Sequence, residues 1–293
     1  MPDAARGPQG LRTILLTTVA MLAFAANSLL CRLALQHKGI DPASFGSVRL
    51  VAGALMLGLI VRFRAQPQVS PARVDWLAAV MLFGYVAFFS FAYLSLPAGT
   101  GALILFGAVQ LTMFGVGLRS GTERFGALAW LGFAMAAGGL VYLVLPGIAA
   151  PPLLGAALMA VAGVAWGVYS LRGRGVADPL AATARNFTRA VPLALALSLV
   201  FAASARADAT GLVLAVASGA LTSGLGYVVW YAALSRLGAM RAATVQLSVP
   251  LLAAFGGVLF LSEAITPRLA AASVAILGGI ALVLGQKARS ARP

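Results

Sequence analysis

Apolar and polar positions alternate in long blocks along this chain. Stretches of roughly 20 mostly apolar residues, the length a helix needs to cross the hydrocarbon core of a bilayer, are separated by short connectors with proline, glycine or charge. Ten such stretches cover residues 11–34, 44–62, 76–95, 98–118, 125–145, 153–171, 180–201, 210–234, 239–261 and 268–286. The pattern predicts an all-α polytopic membrane protein with ten transmembrane helices.

Residue pairs that recur at one spacing indicate an internal duplication. The pairs are Arg32 with Arg172, Arg49 with Arg189, Glu123 with Glu263, and Gly138-Gly139 with Gly278-Gly279, each 140 residues apart. We therefore expect two five-helix repeats, 1–149 and 150–293. Because five is an odd number, the second repeat must be inverted relative to the first, as in transporters that enclose a central cavity between inverted repeats.

Composition agrees with a bilayer as the surrounding medium. The chain is 61% hydrophobic and 10% charged, with a mean hydropathy of +0.97, so that only loops can form a water-facing surface. A net charge of +14 would ordinarily indicate a nucleic-acid partner, but the basic residues lie in short connectors, and we expect no nucleic acid. The single cysteine, Cys31, excludes an internal disulfide and a cysteine metal site.

Basic residues in the connectors predict the orientation in the membrane. Fourteen lie on one side of the ten-span topology, whereas the other side has only Arg32, Lys38, Arg206 and Arg268. Under the positive-inside rule, both termini face the cytoplasm of a bacterial inner membrane. An eight- or nine-span topology would place heavily basic connectors on both sides, which is evidence against it.

Acidic residues are absent from the middle of the spans. All seven lie in connectors or at span ends, and the only histidine, His37, is in a loop. Since buried acids and histidines are the usual proton relays of membrane proteins, this favours downhill flux over tight proton coupling, with coupling through water or an arginine as the open alternative. The usual catalytic metal ligands and acid–base groups are also missing, so we expect neither an enzyme nor a cofactor. Glu123 and Glu263 are expected to bind free amides at helix N-termini.

Three arginines lie inside predicted spans and allow two interpretations. Arg49 and Arg189 are repeat mates, and Arg185 precedes Arg189 by one turn. Their charged ends can extend to the membrane interface or cap carbonyl groups. Alternatively, Arg49 or Arg189 pairs with an anionic group, such as a substrate carboxylate or a loop acid.

The last third of the chain carries a recognisable pattern. It contains Ser223-Gly224-Leu225-Gly226-Tyr227-Val228-Val229-Trp230-Tyr231, followed by Leu237-Gly238-Ala239, Val249-Pro250, Leu261-Ser262-Glu263 and Gly278-Gly279. This resembles the EamA-type ten-helix exporters of the drug/metabolite transporter superfamily, and most closely their bacterial aromatic amino-acid exporter branch. The resemblance implies a cavity lined by helices 1–4 and 6–9, with helices 5 and 10 at the periphery. The fourth helix has Ala108-Val109-Gln110-Leu111 where the ninth has Pro250, so we expect it to be less kinked.

Aromatic and uncharged polar residues on the presumed cavity helices form the candidate site. Aromatic rings can stack on a substrate. A polar side chain deep in a span costs free energy if it faces lipid, so it should face a cavity or a neighbouring helix. Ordinary helix packing, an interfacial aromatic belt and interhelical hydrogen bonds are the alternative explanations. The candidate cavity residues are Asn27, Ser28, Tyr85, Phe89, Tyr93, Gln110, Trp166, Tyr169, Tyr227, Trp230 and Gln246.

The leading interpretation is an inner-membrane exporter of small metabolites that works by alternating access, with amino acids, aromatic ones included, as its substrates. Export of lipophilic drugs or other metabolites is the first alternative. The second is a non-transporting assembly or sensor protein, which would have no cavity between the repeats. Small-residue stripes at Ala134/Gly138 and Ala271/Ala275/Gly279 are expected to pack helices 5 and 10 onto their own halves rather than form a dimer, which leaves a monomer or weak homodimer.

Overall fold

The computed structural model describes residues 8–64, 75–119, 126–173, 176–237 and 239–290. Within these ranges the chain is helical, with one isolated backbone bridge between Ile40 and Ala207 and no strand. The first half contains α1 (Pro8–Gln36), α2 (Pro42–Phe63), α3 (Trp76–Ala92), α4 (Ala98–Arg119) and α5 (Ala127–Val144). The second contains α6 (Leu153–Arg172), α7 (Pro179–Val200), α8 (Ala209–Val216), α9 (Gly226–Leu234), α10 (Ala239–Gln246), α11 (Ser248–Leu261) and α12 (Pro267–Ser290).

Long apolar helices dominate the described ranges, as the hydropathy pattern predicts. Eight helical stretches in the described ranges are long and apolar enough to cross a membrane, so the protein is a multi-pass membrane protein. Six of them are single helices, and the other two, Ala209–Leu234 and Ala242–Leu261, each combine consecutive shorter elements. Helix α3 is apolar but has 17 residues, and α7 carries Arg185 and Arg189. The count of ten crossings therefore stays a prediction.

The predicted span at 210–234 contains an irregular middle. Between α8 and α9 the residues Ala217–Leu225 form a π-helical segment. The Thr222 hydroxyl donates to the Ser218 carbonyl at 2.9 Å. Gly219 lies against α2 so closely that an added Cβ would meet the carbonyl oxygen of Arg49. The widened helix, a feature frequent at functional sites, thus brings a row of hydroxyl groups against α1 and α2.

The predicted span at 239–261 is broken in the structure. Helices α10 and α11 meet at Leu247, three residues before Pro250. Pro250 has no N–H to bond the carbonyl of Gln246, and its ring clashes with that carbonyl, so a regular helix cannot continue through this point. Helix α4, which has Gln110 at the corresponding place, is one unbroken helix, as expected from its lack of proline.

The helices pack mainly across the boundary between the two predicted repeats. Helix α2 contacts α7, α4 contacts α11 and α5 contacts α12. Helix α3 packs on α6, and α1 packs on α9 and the π-helical segment; likewise α1 packs on α11, and α4 on α6. If each helix is replaced by its counterpart in the other half, the α2–α7, α4–α11 and α5–α12 contacts map onto themselves. The α3–α6 contact then maps onto the contact of α1 with α9 and the π-helical segment, and α1–α11 maps onto α4–α6. That is the pattern a pseudo-twofold axis produces, although the inverted repeat itself stays a prediction.

Helices α5 and α12 pack against each other, which corrects the expectation that each packs onto its own half. An added Cβ at Gly279 would meet the carbonyl oxygen of Gly132, and one at Gly139 would lie 2.9 Å from the Ala275 Cβ. Small residues therefore permit a close approach between the halves. Exposed side chains such as Leu131 and Val274 place the outer faces of this helix pair at the periphery.

Candidate functional site: the central cavity

A cavity of about 1100 Å³ lies between the two halves of the helix bundle. Its described wall comes mainly from α1, α3, α4, α6, α7, α9, α10 and the π-helical segment. Two features differ from the expected arrangement of helices. Helix α2 contributes no lining residue among those described. The peripheral pair α5 and α12 contributes Phe133, Ala136, Ile280, Val283 and Leu284.

One end of the cavity is closed by a cluster around Glu263. Its Oε1 lies 3.2 Å from Arg32 Nε, and its Oε2 accepts from the Ala98 amide at 2.8 Å. Arg32 Nη1 also donates to the carbonyl oxygen of Tyr93 at 3.0 Å. Glu263 thus binds a helix N-terminus, as expected. The helix is α4, however, and not α12, which follows Glu263 in the chain. Its repeat mate Glu123 lies outside the described residues.

The opposite end of the cavity is its mouth, where Asp75 and Arg172 belong to the wall. Arg172 Nε lies 2.6 Å from Asp75 Oδ2, and Arg64 forms an ion pair with Asp178 beside it. Burial opposes ionisation of Asp75, yet hydrogen bonds from Arg172 and the Ala78 amide outweigh it and lower the pKa of this carboxyl. Both ion pairs, like Arg32–Glu263, join residues of the first half to residues of the second.

Aromatic rings form a continuous cluster along the cavity wall, with Trp166 at its centre. Its ring centroid lies 4.8 Å from that of Tyr85, 5.3 Å from that of Tyr169 and 5.8 Å from that of Tyr227. Phe24 extends the cluster, with its ring centroid 5.8 Å from that of Trp230. An apolar ring of a ligand can stack on such a surface, while the phenol hydroxyls give it polar contacts.

A hydrogen-bonded network of uncharged groups lies at the deep, closed side of the cavity. Asn27 Oδ1 accepts from the hydroxyls of Ser218 at 2.5 Å and Thr222 at 3.2 Å. Asn27 Nδ2 donates to Ser223 Oγ at 3.5 Å. Asn27, Thr222 and Ser223 line the cavity, and all of them are buried. The network therefore connects α1 to the π-helical segment and fixes the orientation of the Asn27 amide.

Arg49 is buried directly behind this part of the wall, with 1% of its surface exposed. Its Nη2 donates to Tyr85 Oη at 3.1 Å, and its Nε donates to Ser223 Oγ at 3.4 Å. The guanidinium carbon lies 5.2 Å from the ring centroid of Tyr85 and 5.0 Å from that of Phe89. Arg49 therefore does not extend to the membrane interface. Its repeat mate Arg189 lines the cavity itself, together with Arg185.

Most of the residues expected in the cavity do line it. The lining includes Asn27, Ser28, Tyr85, Phe89, Gln110, Trp166, Tyr169, Tyr227, Trp230 and Gln246. Tyr93 is the exception: it is fully buried beyond the closed end, and its hydroxyl donates to the Ala98 carbonyl at 3.2 Å. Whether the lining residues bind a substrate stays a prediction.

Several lining residues were missed at the sequence level. Phe24 lies three and four residues before Asn27 and Ser28, so helical periodicity places it on the same face and could have identified it. Thr183 and Asn186 of α7 also line the cavity, and the Thr183 hydroxyl lies 2.8 Å from that of Tyr231. No sequence signal distinguishes these two from polar residues that face a neighbouring helix.

Comparison with known proteins finds a family that matches the second half of the chain. Residues 153–285 match the EamA-like transporter family. The chain is 56% identical to the uncharacterized protein PA1977 of Pseudomonas aeruginosa over 282 residues, which are 96% of this chain and 98% of that protein. A crystal structure of another protein shares the fold with a TM-score of 0.66 at 19% identity, over 96% of this chain and 99% of that one.

Proposed function

The chain belongs to the EamA-like transporter family, and on this premise we propose that it exports amino acids, aromatic ones included, across the bacterial inner membrane. Membership in the family makes the protein a membrane transporter of small molecules. The observation that supports the substrate class is the aromatic wall around Trp166 in a cavity of about 1100 Å³. Small-molecule sites measure about 300–1000 Å³, so the cavity has room for one amino acid with water around it.

Alternating access is the proposed mechanism, and two features support it. The cavity has a mouth at Asp75 and Arg172, whereas the Arg32–Glu263 cluster closes the opposite end. The contacts between helices are preserved when the two halves are exchanged, so the same packing can form the mouth at the other end. Opening the closed end requires Arg32 and Glu263 to separate, and closing the mouth requires the halves to approach there.

The mouth is proposed to face the cytoplasm, so that the cavity takes up substrate from inside the cell and the direction of transport is export. Arg64 and Arg172 lie at the mouth, and the connectors on that side carry most of the basic residues under the ten-span topology. The positive-inside rule assigns this side to the cytoplasm. A substrate made inside the cell then enters the cavity through the mouth and leaves when the Glu263 end opens.

Transport is proposed to run down the substrate gradient. Among the described residues, Asp75 is the only carboxylate that lines the cavity, and it is at the mouth and paired with Arg172. A proton-coupled carrier generally needs a titratable group that alternates between the two sides near the substrate. An imposed pH gradient should therefore leave substrate accumulation in proteoliposomes unchanged, and gradient-driven accumulation would refute the uncoupled mechanism.

Counterflow in proteoliposomes tests the substrate class. The purified protein is reconstituted with internal phenylalanine, and uptake of labelled phenylalanine, tyrosine, leucine or lysine is measured. We expect saturable exchange with a preference for the aromatic amino acids. Preference for lipophilic cations would instead support the drug-export alternative. No flux of any compound, together with inaccessible cysteines introduced at Gln110 and Gln246 in a Cys31→Ala background, would support a non-transporting protein.

A further inference from the structure

We propose that the deep end of the cavity is a carboxylate-binding site, in which Tyr85, Ser223 and Asn27 donate hydrogen bonds and Arg49 supplies the balancing charge behind them. This inference rests on the proposed function and specifies which group of the substrate the protein recognises. The direction of each hydrogen bond decides whether the wall presents donors or acceptors to a ligand.

Asn27 presents its amide nitrogen to the cavity side of the network. Its oxygen accepts from Ser218 at 2.5 Å and from Thr222 at 3.2 Å, so both hydroxyls hold the oxygen on the side of the π-helical segment. The nitrogen is left facing Ser223 at 3.5 Å. An amide nitrogen carries two hydrogens, and one of them is available to a ligand next to Asn27.

Tyr85 and Ser223 are turned into donors by the groups behind them. Arg49 has only N–H donors, so Tyr85 Oη must accept its bond at 3.1 Å, and Ser223 Oγ must accept at 3.4 Å. Ser223 Oγ also accepts from Asn27. The hydroxyl hydrogens of Tyr85 and Ser223 are then directed away from Arg49. Both side chains line the cavity, so a ligand there meets hydroxyl groups polarised by a cation.

Among the residues that the structure describes, no carboxylate pairs with the charge of Arg49. The ion pairs in the described part of the chain use Arg32, Arg64 and Arg172 and leave Arg49 with no carboxylate. Arg49 Nη1 is buried with no hydrogen-bond partner among the described atoms. A buried guanidinium without an anion is costly, and the Tyr85 and Phe89 ring faces offset only part of that cost. A carboxylate in front of Tyr85 and Ser223 supplies the negative charge that balances Arg49.

The path from the mouth to this site is also basic. Arg185 and Arg189 line the wall of the cavity, which attracts an anionic group inward. The repeat mates Arg49 and Arg189 therefore have different surroundings, one behind the wall and one in it. We assign the carboxylate to Arg49 because its neighbours Tyr85, Ser223 and Asn27 provide aligned donors.

A ligand series separates recognition of the carboxylate from recognition of the ring. Phenylpropionate, its neutral isostere phenylpropionamide and phenylethylamine are tested as inhibitors of phenylalanine counterflow and as ligands that raise the melting temperature of the purified protein. Phenylpropionate is expected to bind at least roughly tenfold more tightly than phenylpropionamide, and phenylethylamine is expected to compete weakly. Equal binding of the acid and the amide would refute the site.

Substitutions then locate the site. Tyr85→Phe and Ser223→Ala are each expected to reduce the preference for acid over amide roughly 3- to 10-fold, while amide binding changes little. Arg49→Gln should abolish the preference, and the two milder variants decide the outcome if this one does not fold. Tyr142→Phe removes a phenol hydroxyl from the exposed face of α5 and serves as the matched control. An unchanged preference in both milder variants would overturn the proposal.

The two proposals can fail separately. If the unmodified protein exchanges phenylalanine but does not discriminate acid from amide, amino-acid export stands and the carboxylate site is refuted. If it exchanges no amino acid but binds phenylpropionate in a manner that depends on Tyr85 and Ser223, the carboxylate site stands and the substrate class is refuted.

Discussion

Arg32 Nε lies 3.2 Å from Glu263 Oε1, and this ion pair connects residues 231 positions apart at the closed end of the cavity. The same carboxylate accepts the Ala98 amide at the N-terminus of α4. One side chain therefore holds α1, α4 and the α11–α12 connector together. Because each contact joins the two halves, a change of conformation that opens this end of the cavity must break the cluster.

Glu263→Gln is expected to loosen the closed end. The substitution removes the ionic attraction to Arg32, which at a partly exposed position contributes about 1 kcal/mol, or roughly a fivefold change in the population of the open form. Cys31 is the only cysteine, is fully buried and adjoins Arg32, so it reports opening without further engineering. Maleimide labelling of Cys31 in membranes should become roughly 3- to 10-fold faster.

The control for this experiment lies at the mouth. Asp178→Asn removes the partner of Arg64 at the opposite end, so it should not accelerate labelling of Cys31. Equal labelling rates in Glu263→Gln and the unmodified protein would show that the ion pair does not hold this end closed.

Trp166→Leu is expected to weaken transport of aromatic substrates. The substitution removes the ring that contacts Tyr85, Tyr169 and Tyr227, and aromatic contacts contribute about 0.5–1.5 kcal/mol each beyond buried area. Phenylalanine counterflow should fall roughly tenfold, with a smaller effect on leucine. Trp76→Leu, at an exposed position outside the cavity lining, is the control. A similar loss for leucine and phenylalanine would contradict an aromatic binding role.

Neighbouring glycines on α12 are expected to respond differently to substitution by alanine. An added Cβ at Gly279 meets the Gly132 carbonyl oxygen, whereas one at Gly278 meets nothing within 4 Å. Gly279→Ala should lower the free energy of unfolding by about 1–3 kcal/mol, because the added methyl group overpacks the contact between α5 and α12. Gly278→Ala should be neutral or stabilise the helix by up to about 1 kcal/mol. Thermal unfolding in detergent measures both variants, and equal melting temperatures would refute the close α5–α12 packing.

Acidification is expected to weaken the mouth ion pairs. Burial opposes ionisation of Asp75 and Asp178, but hydrogen bonds from Arg172 and Arg64 respectively, with helix N-terminal amides, lower both pKa values. A carboxyl with a lowered pKa in the folded state contributes stability above its unfolded value, near pH 4, and loses it as pH falls further. The melting temperature should therefore be flat between about pH 7 and 5 and fall below about pH 4. The double variant Asp75→Asn/Asp178→Asn should have a lower melting temperature at neutral pH and a smaller decrease in melting temperature at acid pH.

Much of the helical architecture follows from local sequence. A helix in lipid needs a long apolar run, so the runs themselves mark the membrane-capable helices, including Ala98–Arg119 and Leu153–Arg172. The break before Pro250 follows from its missing N–H. Deep polar residues such as Asn27 and Gln110 line the cavity as expected, since facing lipid would be costly for them.

Other features required the tertiary structure. In a membrane helix, faces packed on protein and faces turned to lipid are both apolar, so the sequence does not state which helix meets which. That is why the pairing of α5 with α12 and the burial of Arg49 behind Tyr85 could not be predicted, nor could the displacement of Tyr93 beyond the closed end. The sequence by itself determined the long apolar helices and identified ten of the aromatic and polar residues that line the cavity. Only the packing decided which end is closed and which hydroxyl groups Arg49 directs into the cavity, because these depend on contacts between residues far apart in the chain.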